Sequence, residues 1–382
     1  MKIQKELFFT LDEYEQRLKS LRQKMAAREL DVLLLASPEN LYYVSGYQTF
    51  GFHNYQLLGV PLEGEPFLIL RNLESYLAQR YAWIDDVVVW DDTNDPNTVT
   101  VEALQERKLL GKKVGIEEQA YFLPVHHWRA LKEKIDTLVD GSGVVEQCRA
   151  AKSVQEVAYM REAARLTDFG MKAAVEEIQA GKSENDVAAG AFDAMTRAGS
   201  EYLTRDPIVT SGDRSGIPHT CYYRRQLQDG DTVLIEQSGV YNRYYSPMMR
   251  GFLIGGPNPK IEKIAAVCIE GLNAAIEAIR PGATAGEVDA ACLAVIKREG
   301  LWENYRKRTG YSVGIGFSSW VEGGVASLKA DDPTVLKPGM CFHIPVAIRL
   351  YGEAGLGFSE TVHVTETGAE ILGATPRKLA RR

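Results

Sequence analysis

Residues Gly170–Gly199, GMKAAVEEIQAGKSENDVAAGAFDAMTRAG, lie without a gap over Gly271–Gly300, GLNAAIEAIRPGATAGEVDAACLAVIKREG. The offset is 101 residues (271 − 170), with ten identities in thirty positions. Self-similarity at one fixed offset points to a duplicated structural unit. Each copy reads as a helix ended by a glycine (Gly181 or Gly282), a hydroxyl N-cap (Ser183 or Thr284), a second helix and a closing glycine (Gly199 or Gly300). A strand-rich stretch follows each helix pair, at about 205–255 and 307–366. The chain from 151 to 382 is therefore expected to be one duplicated α+β domain, with a pseudo-twofold axis and its pocket between the halves.

The first 150 residues have a different texture. Thr10 and Glu13 form a capping box, and Leu11, Tyr14, Leu18, Leu21 and Met25 recur at helical spacing, so a helix is expected from Thr10 to near Glu29. Apolar runs at Val32–Ala36, Leu57–Leu62, Phe67–Leu70 and Val87–Trp90 predict strands, with Glu63-Gly64-Glu65-Pro66 as a turn. Helical segments near 73–82, 98–108 and 126–135 alternate with them, which predicts a separate α/β domain over 1–150. A second capping box, Ser153 with Glu156, opens the helix that begins the duplicated domain and runs to about Ile178.

Charge and cysteine usage exclude several functions. A net charge of −7 disfavours binding to nucleic acid, and the basic end Arg377, Lys378, Arg381, Arg382 reads as a solvated terminus. Five cysteines without CxxC spacing fit a reducing compartment better than a disulfide framework. No apolar run reaches the ~18 residues of a membrane span or the length of a signal peptide. A cytoplasmic protein with no membrane partner is expected.

Several phrases carry a family resemblance: SPENLYYVSGY (Ser37–Tyr47), GKKVGIEE (Gly111–Glu118), AKSVQEVAYMREAARLTD (Ala151–Asp168), LKPGM (Leu336–Met340) and ETVHVTETG (Glu360–Gly368). With the duplication, they resemble the creatinase/aminopeptidase P superfamily. The resemblance implies an α+β pita-bread domain preceded by a smaller creatinase-like α/β domain. Metallopeptidases of that superfamily hold two divalent ions through two Asp, one His and two Glu, because hard cations need clustered oxygen ligands. Set against those ligands, this chain has Glu236, Pro247, Tyr311 and Pro345, and retains only Glu360. No metal and no cofactor are expected.

His219, in GIPHTCYYRRQLQDGD, stands eleven residues before Gly230 (230 − 219), the spacing seen for the catalytic histidine of creatinase and its relatives. Creatinase itself has glutamates where this chain has Met249 and Pro345, which argues against a creatine substrate. The stretch IEQSGVYNRYYSPMMR (Ile235–Arg250) is similar to the ectoine hydrolase pattern at Glu236, Gly239, Arg243, Tyr244, Pro247 and Arg250, and TGYSVGIG, Phe342-His343 and SETVHVTE continue it. Departures occur around Trp320, in FSSWVEGGVASL, and at Cys221-Tyr222.

The resemblance implies a metal-independent hydrolase of a C–N bond in a small zwitterionic cyclic amidine, ectoine or hydroxyectoine leading. His219 would take a proton from water, since an imidazole titrates near pH 7. Glu236 and Glu360 would face each other across the pocket and pair with the amidinium. Tyr311, Tyr244, Arg250 and Trp320 are candidate pocket residues. His343 reads equally as a second proton carrier or a hydrogen-bonded strand residue, and Arg224 and Arg225 join Arg250 as candidate partners of a substrate carboxylate. A homodimer is implied, in which Phe52, His53 and Tyr55 of GYQTFGFHNYQ reach the neighbouring pocket, although an aromatic segment of this kind also suits a core. An Xaa-Pro metallopeptidase with altered ligands, a creatinase-like amidinohydrolase and a non-catalytic binding module are the alternative readings.

Overall fold

The computed structural model describes residues 3–382, and the chain divides into two compact units, Met1–Arg149 and Ala150–Arg382. In the first unit, helix Leu11–Ala27 begins where the Thr10 side chain accepts from the backbone N–H of Glu13. Six strands form one sheet, in spatial order Val87–Trp90, Phe67–Arg71, Leu57–Pro61, Val32–Leu35, Val114–Ile116 and Leu138–Asp140. Strand Leu57–Pro61 runs antiparallel to both neighbours and the other pairings are parallel. Helices Asn72–Tyr81, Pro96–Glu106 and Val125–Lys134 fall within two residues of the expected segments. Strands Val114–Ile116 and Leu138–Asp140 and helix Pro38–Ser45 are additions; with three-residue strands, period-2 alternation has too few positions to register.

Helix Pro38–Ser45 stops at Gly46, whose φ of 79° lies in the left-handed region and whose N–H bonds the Tyr42 carbonyl at 2.8 Å. A Cβ at this position would sit 2.5 Å from Tyr14 Oη and 2.8 Å from the Tyr81 carbonyl oxygen. Gly46→Ala therefore adds a steric clash to the strain of an αL residue, and urea unfolding is expected to show a loss of about 1–3 kcal/mol. An unchanged midpoint would mean the loop relaxes freely.

In the second unit the duplication is directly visible. Helices Val154–Glu176 and Glu184–Arg197 form one pair, and Pro259–Ala278 and Ala285–Arg298 the other. Ser183 and Thr284 occupy equivalent N-caps, each closing a capping box, with Asp186 and Glu287 respectively. Gly181 and Gly282 have matching φ values of 88° and 89°. The first pair covers a sheet ordered Ala380–Arg381, Met248–Leu253, Thr232–Gln237, Ile208–Ser211, burying Met171, Val187, Ile235 and Phe252. The second covers Ser327–Leu328, Gly310–Ser312, Cys341–Leu350, Ala354–Val364, Ala369–Ile371, burying Leu272, Ile296, Val346 and Phe358. Each such side chain contributes roughly 1.5–3 kcal/mol of hydrophobic stabilisation, so each half owns a core. The uncovered sheet faces meet through Leu234, Met249 and Ala347, and a cleft lies there. This is a pita-bread domain. No helix among the described residues is long and apolar enough to cross a membrane.

Candidate active site

Strand alternation decides which side chains reach the cleft. Glu236 stands opposite Met249 on one side and Ile208 on the other, and two residues along, Leu234 stands opposite Thr210. On the second sheet Pro345, Ala347 and Arg349 share a face. All of these line a cleft of about 320 Å³, closed by the loop carrying Ile217, Pro218, His219 and Thr220. His219 is exposed and adopts φ 61°. Glu236, with a side chain 15% exposed, is the one carboxylate of the lining. Burial raises its pKa, opposed by the charges of Arg306, Arg349 and Arg205.

Beneath Glu236 runs a buried polar chain. His343 Nδ1 is 2.9 Å from Tyr311 Oη and 4.0 Å from Glu236 Oε1, and its Nε2 is 2.6 Å from Ser359 Oγ. Ser359 Oγ also accepts the Met249 N–H at 2.6 Å, and Tyr311 Oη accepts Trp320 Nε1–H at 3.1 Å. Both imidazole nitrogens are thus occupied, and Tyr311 and Trp320 hold the ring in place. Burial, then the charges of Arg306 and Arg250, press the His343 pKa well below its ordinary value, so the ring is neutral. Its folded pKa is depressed, so the unfolded chain binds the extra proton as pH falls below about 6.5, and stability drops there. His343→Gln is expected to flatten that drop by up to about 1.4 kcal/mol per pH unit. Equal urea-unfolding slopes for the two proteins below pH 6.5 would contradict the assignment.

Several expected site residues lie elsewhere. Glu360 does not face Glu236. Ser359 pairs with Pro345 and so shares its cleft face, which turns Glu360 to the opposite side, beside Arg250. There Arg250 Nη2 donates to Glu360 Oε1 at 2.7 Å and to the Thr375 carbonyl, with Arg377 Nη1 3.6 Å from the same carboxylate oxygen. Arg250 is likewise a structural counter-ion and not a substrate ligand, because the neighbouring Met249 takes the cleft-facing position. Tyr244 is turned toward helix Val154–Glu176, where its hydroxyl donates to Glu156 Oε1 at 2.7 Å. In the first unit Tyr55 is a core residue, with its hydroxyl 2.7 Å from Thr100 Oγ1 and its ring against His127. Phe52 packs edge-on to Phe122, and His53 is exposed. Arg225 pairs with Asp231, and Arg224 lies over the Tyr223 ring. His219, Glu236, His343, Tyr311 and Trp320 remain together at or under the cleft.

The three guanidinium groups of the cleft, Arg306, Arg308 and Arg349, were absent from the expectations. Arg349 was accessible to reasoning, since it follows Pro345 by four positions on a strand and shares its face. Arg306 and Arg308, in YRKRTGY, carry no such signal. Among the described residues no group of three or more His, Cys, Asp or Glu is placed to hold a metal ion. Besides three guanidinium groups the cleft lining offers the Glu236 carboxylate, the His219 imidazole and the neutral side chains of Asn304, Thr210, Thr220 and Tyr351, and a donor set with a single carboxylate does not fit a pair of divalent cations.

Residues 158–366 match the model of metallopeptidase family M24, and residues 17–151 match the creatinase/prolidase N-terminal domain. An uncharacterised hydrolase/peptidase of Sinorhizobium fredii is 31% identical, with 98% of each chain covered. The ectoine hydrolase of Halomonas elongata is 28% identical, with 99% of each chain covered. The crystal structure of the prolidase from Pyrococcus horikoshii superposes with a TM-score of 0.85 at 28% identity, covering 95% of this chain and 99% of that one.

Proposed function

The chain belongs to the M24 metallopeptidase family, with a creatinase/prolidase N-terminal domain, and within this family of hydrolases we propose a metal-independent enzyme that opens a C–N bond in a small carboxylate-bearing amidine. The supporting observation is the composition of the cleft. His219 and Glu236 are its proton-transfer groups, guanidinium groups occupy its other charged positions, two of the four acidic donors of a two-metal site are prolines (Pro247 and Pro345), and Glu360 is turned away to Arg250. Kinship to an ectoine hydrolase along nearly the full chain agrees with this reading.

In the proposed reaction, His219 removes a proton from water as the oxygen adds to the amidine carbon. The oxygen's electron pair forms the C–O bond, the C=N π pair moves onto a nitrogen whose N–H is held by Glu236, and a tetrahedral intermediate forms. When it collapses, the C–N bond breaks, the imidazolium proton passes to the leaving nitrogen and an amide remains. Glu236 alone pairs with the substrate cation, since Glu360 faces away. The buried His343–Tyr311 pair fixes the floor beneath Glu236 and, held neutral, does not compete for its charge. Met249 and Pro345 leave no further carboxylate for a guanidinium such as creatine.

Mass spectrometry tests the reading on a panel of ectoine, hydroxyectoine, an N-formimidoyl amino dicarboxylate, creatine and an Xaa-Pro dipeptide. Ring opening of a cyclic amidine, +18 Da, or replacement of the formimidoyl nitrogen by oxygen with release of ammonia, about +1 Da, is expected, with the dipeptide intact. Cleavage of the dipeptide alone would overturn the proposal in favour of peptidase activity.

A further inference from the structure

The cleft holds more positive charge than it neutralises. Arg306 and Arg308 flank Lys307 on the segment leading into strand Gly310–Ser312, Arg349 comes from strand Cys341–Leu350, and all three line the cleft. Several other guanidinium groups of this unit are paired with carboxylates: Arg161 with Glu370, Arg214 with Glu184, Arg225 with Asp231. The cleft arginines instead contact neutral oxygens. Arg306 Nε donates to the Arg308 carbonyl at 3.1 Å, Arg308 Nη1 lies 3.5 Å from Ser327 Oγ, and Arg349 Nη1 donates to the Ser215 carbonyl. Among the described residues none of the three enters a salt bridge with a carboxylate.

Their mutual arrangement is unfavourable without a ligand. Burial lowers the pKa of Arg308 and of Arg349, and the charge of Arg306 acts against both. The acid near Arg349 is Glu236, itself pushed toward its neutral form by burial. Three cations against at most one anion leave a surplus of two or more. Guanidinium forks match carboxylates in a planar, two-point manner, so a ligand with one carboxylate would leave surplus charge behind.

We infer that Arg306, Arg308 and Arg349 form an anion subsite that selects substrates with two carboxylates, beside the C–N group faced by Glu236 and His219. The inference rests on the reading of the cleft as the substrate site and narrows the substrate class to amidine dicarboxylates. A zwitterion with a single carboxylate is then a poor fit.

Isothermal titration of the intact chain with succinate and with propionate, at low ionic strength, tests the subsite without requiring turnover. Succinate is expected to bind at least about tenfold more tightly than propionate, and Arg306→Gln and Arg308→Gln each to weaken succinate about tenfold, the scale of a lost charged hydrogen bond. Arg306 is exposed, so its replacement leaves folding intact even if Arg308→Gln does not fold. Equal affinity for the two acids, or unaltered succinate binding in both arginine variants, overturns the subsite whether or not amidines are hydrolysed. Tight, arginine-dependent succinate binding supports it even if the amidine panel stays intact, an outcome that counts against the hydrolase reading alone.

Discussion

His219→Asn is expected to lower kcat for amidine opening by about 10²- to 10⁴-fold, the usual range for loss of a positioned general base. Asparagine is the informative replacement because His219 adopts a left-handed backbone, φ 61°, which asparagine tolerates better than most residues. The side chain is exposed, and substitutions at such positions change stability by no more than about 0.5 kcal/mol. Thermal unfolding of the variant should therefore coincide with that of the parent, which isolates a chemical defect from a folding defect. A variant with full activity would remove His219 from the mechanism and leave Glu236 as the base.

The largest effect on stability is expected at the ion pair behind the cleft. Arg250 and Glu360 have side chains 1% and 2% exposed and meet at 2.7 Å. Removing one partner of a buried pair leaves the other charge desolvated and uncompensated, at a cost of about 3–5 kcal/mol. Arg250→Met should lower the unfolding free energy by that amount, measured by urea denaturation. The double replacement Arg250→Met with Glu360→Met should recover much of the loss, because two apolar side chains of similar length leave no buried charge. Glu360→Gln, assayed at a temperature where it remains folded, should retain activity per folded molecule close to the parent. A folded Glu360→Gln protein without activity would return this carboxylate to the catalytic site.

The two results bear on how far the amino-acid sequence carries. The duplication was legible because helix caps and closing glycines are local devices: Ser183 and Thr284 cap equivalent helices, and Gly181 and Gly282 share one conformation. The placement of Glu236 and His219 at the cleft was legible because each sits in a motif whose position matches a family pattern. Glu360 was misplaced by one residue. Motif matching fixed the segment SETVHVTE, but period-2 alternation makes a one-residue difference a change of sheet face, and only the pairing of Pro345 with Ser359 settles it. Arg250 and Tyr244 followed Glu360 out of the cleft, to the helix-covered side. The arginine trio was not legible, because Arg306 and Arg308 approach Arg349 only through the packing of two chain segments about forty residues apart. Charge surplus is a property of the assembled cleft, invisible to composition that is acidic throughout.

The central claim, that this cleft works through His219 and Glu236 without a two-metal centre, meets its most direct test in one titration. Amidine hydrolysis is followed after exhaustive chelation and dialysis, then after stepwise addition of Zn²⁺ or Mn²⁺. A rate unchanged by chelation and not raised by either ion is the predicted result. A rate abolished by chelation and restored by stoichiometric metal would contradict the account, and would require donors that the donor set described here lacks.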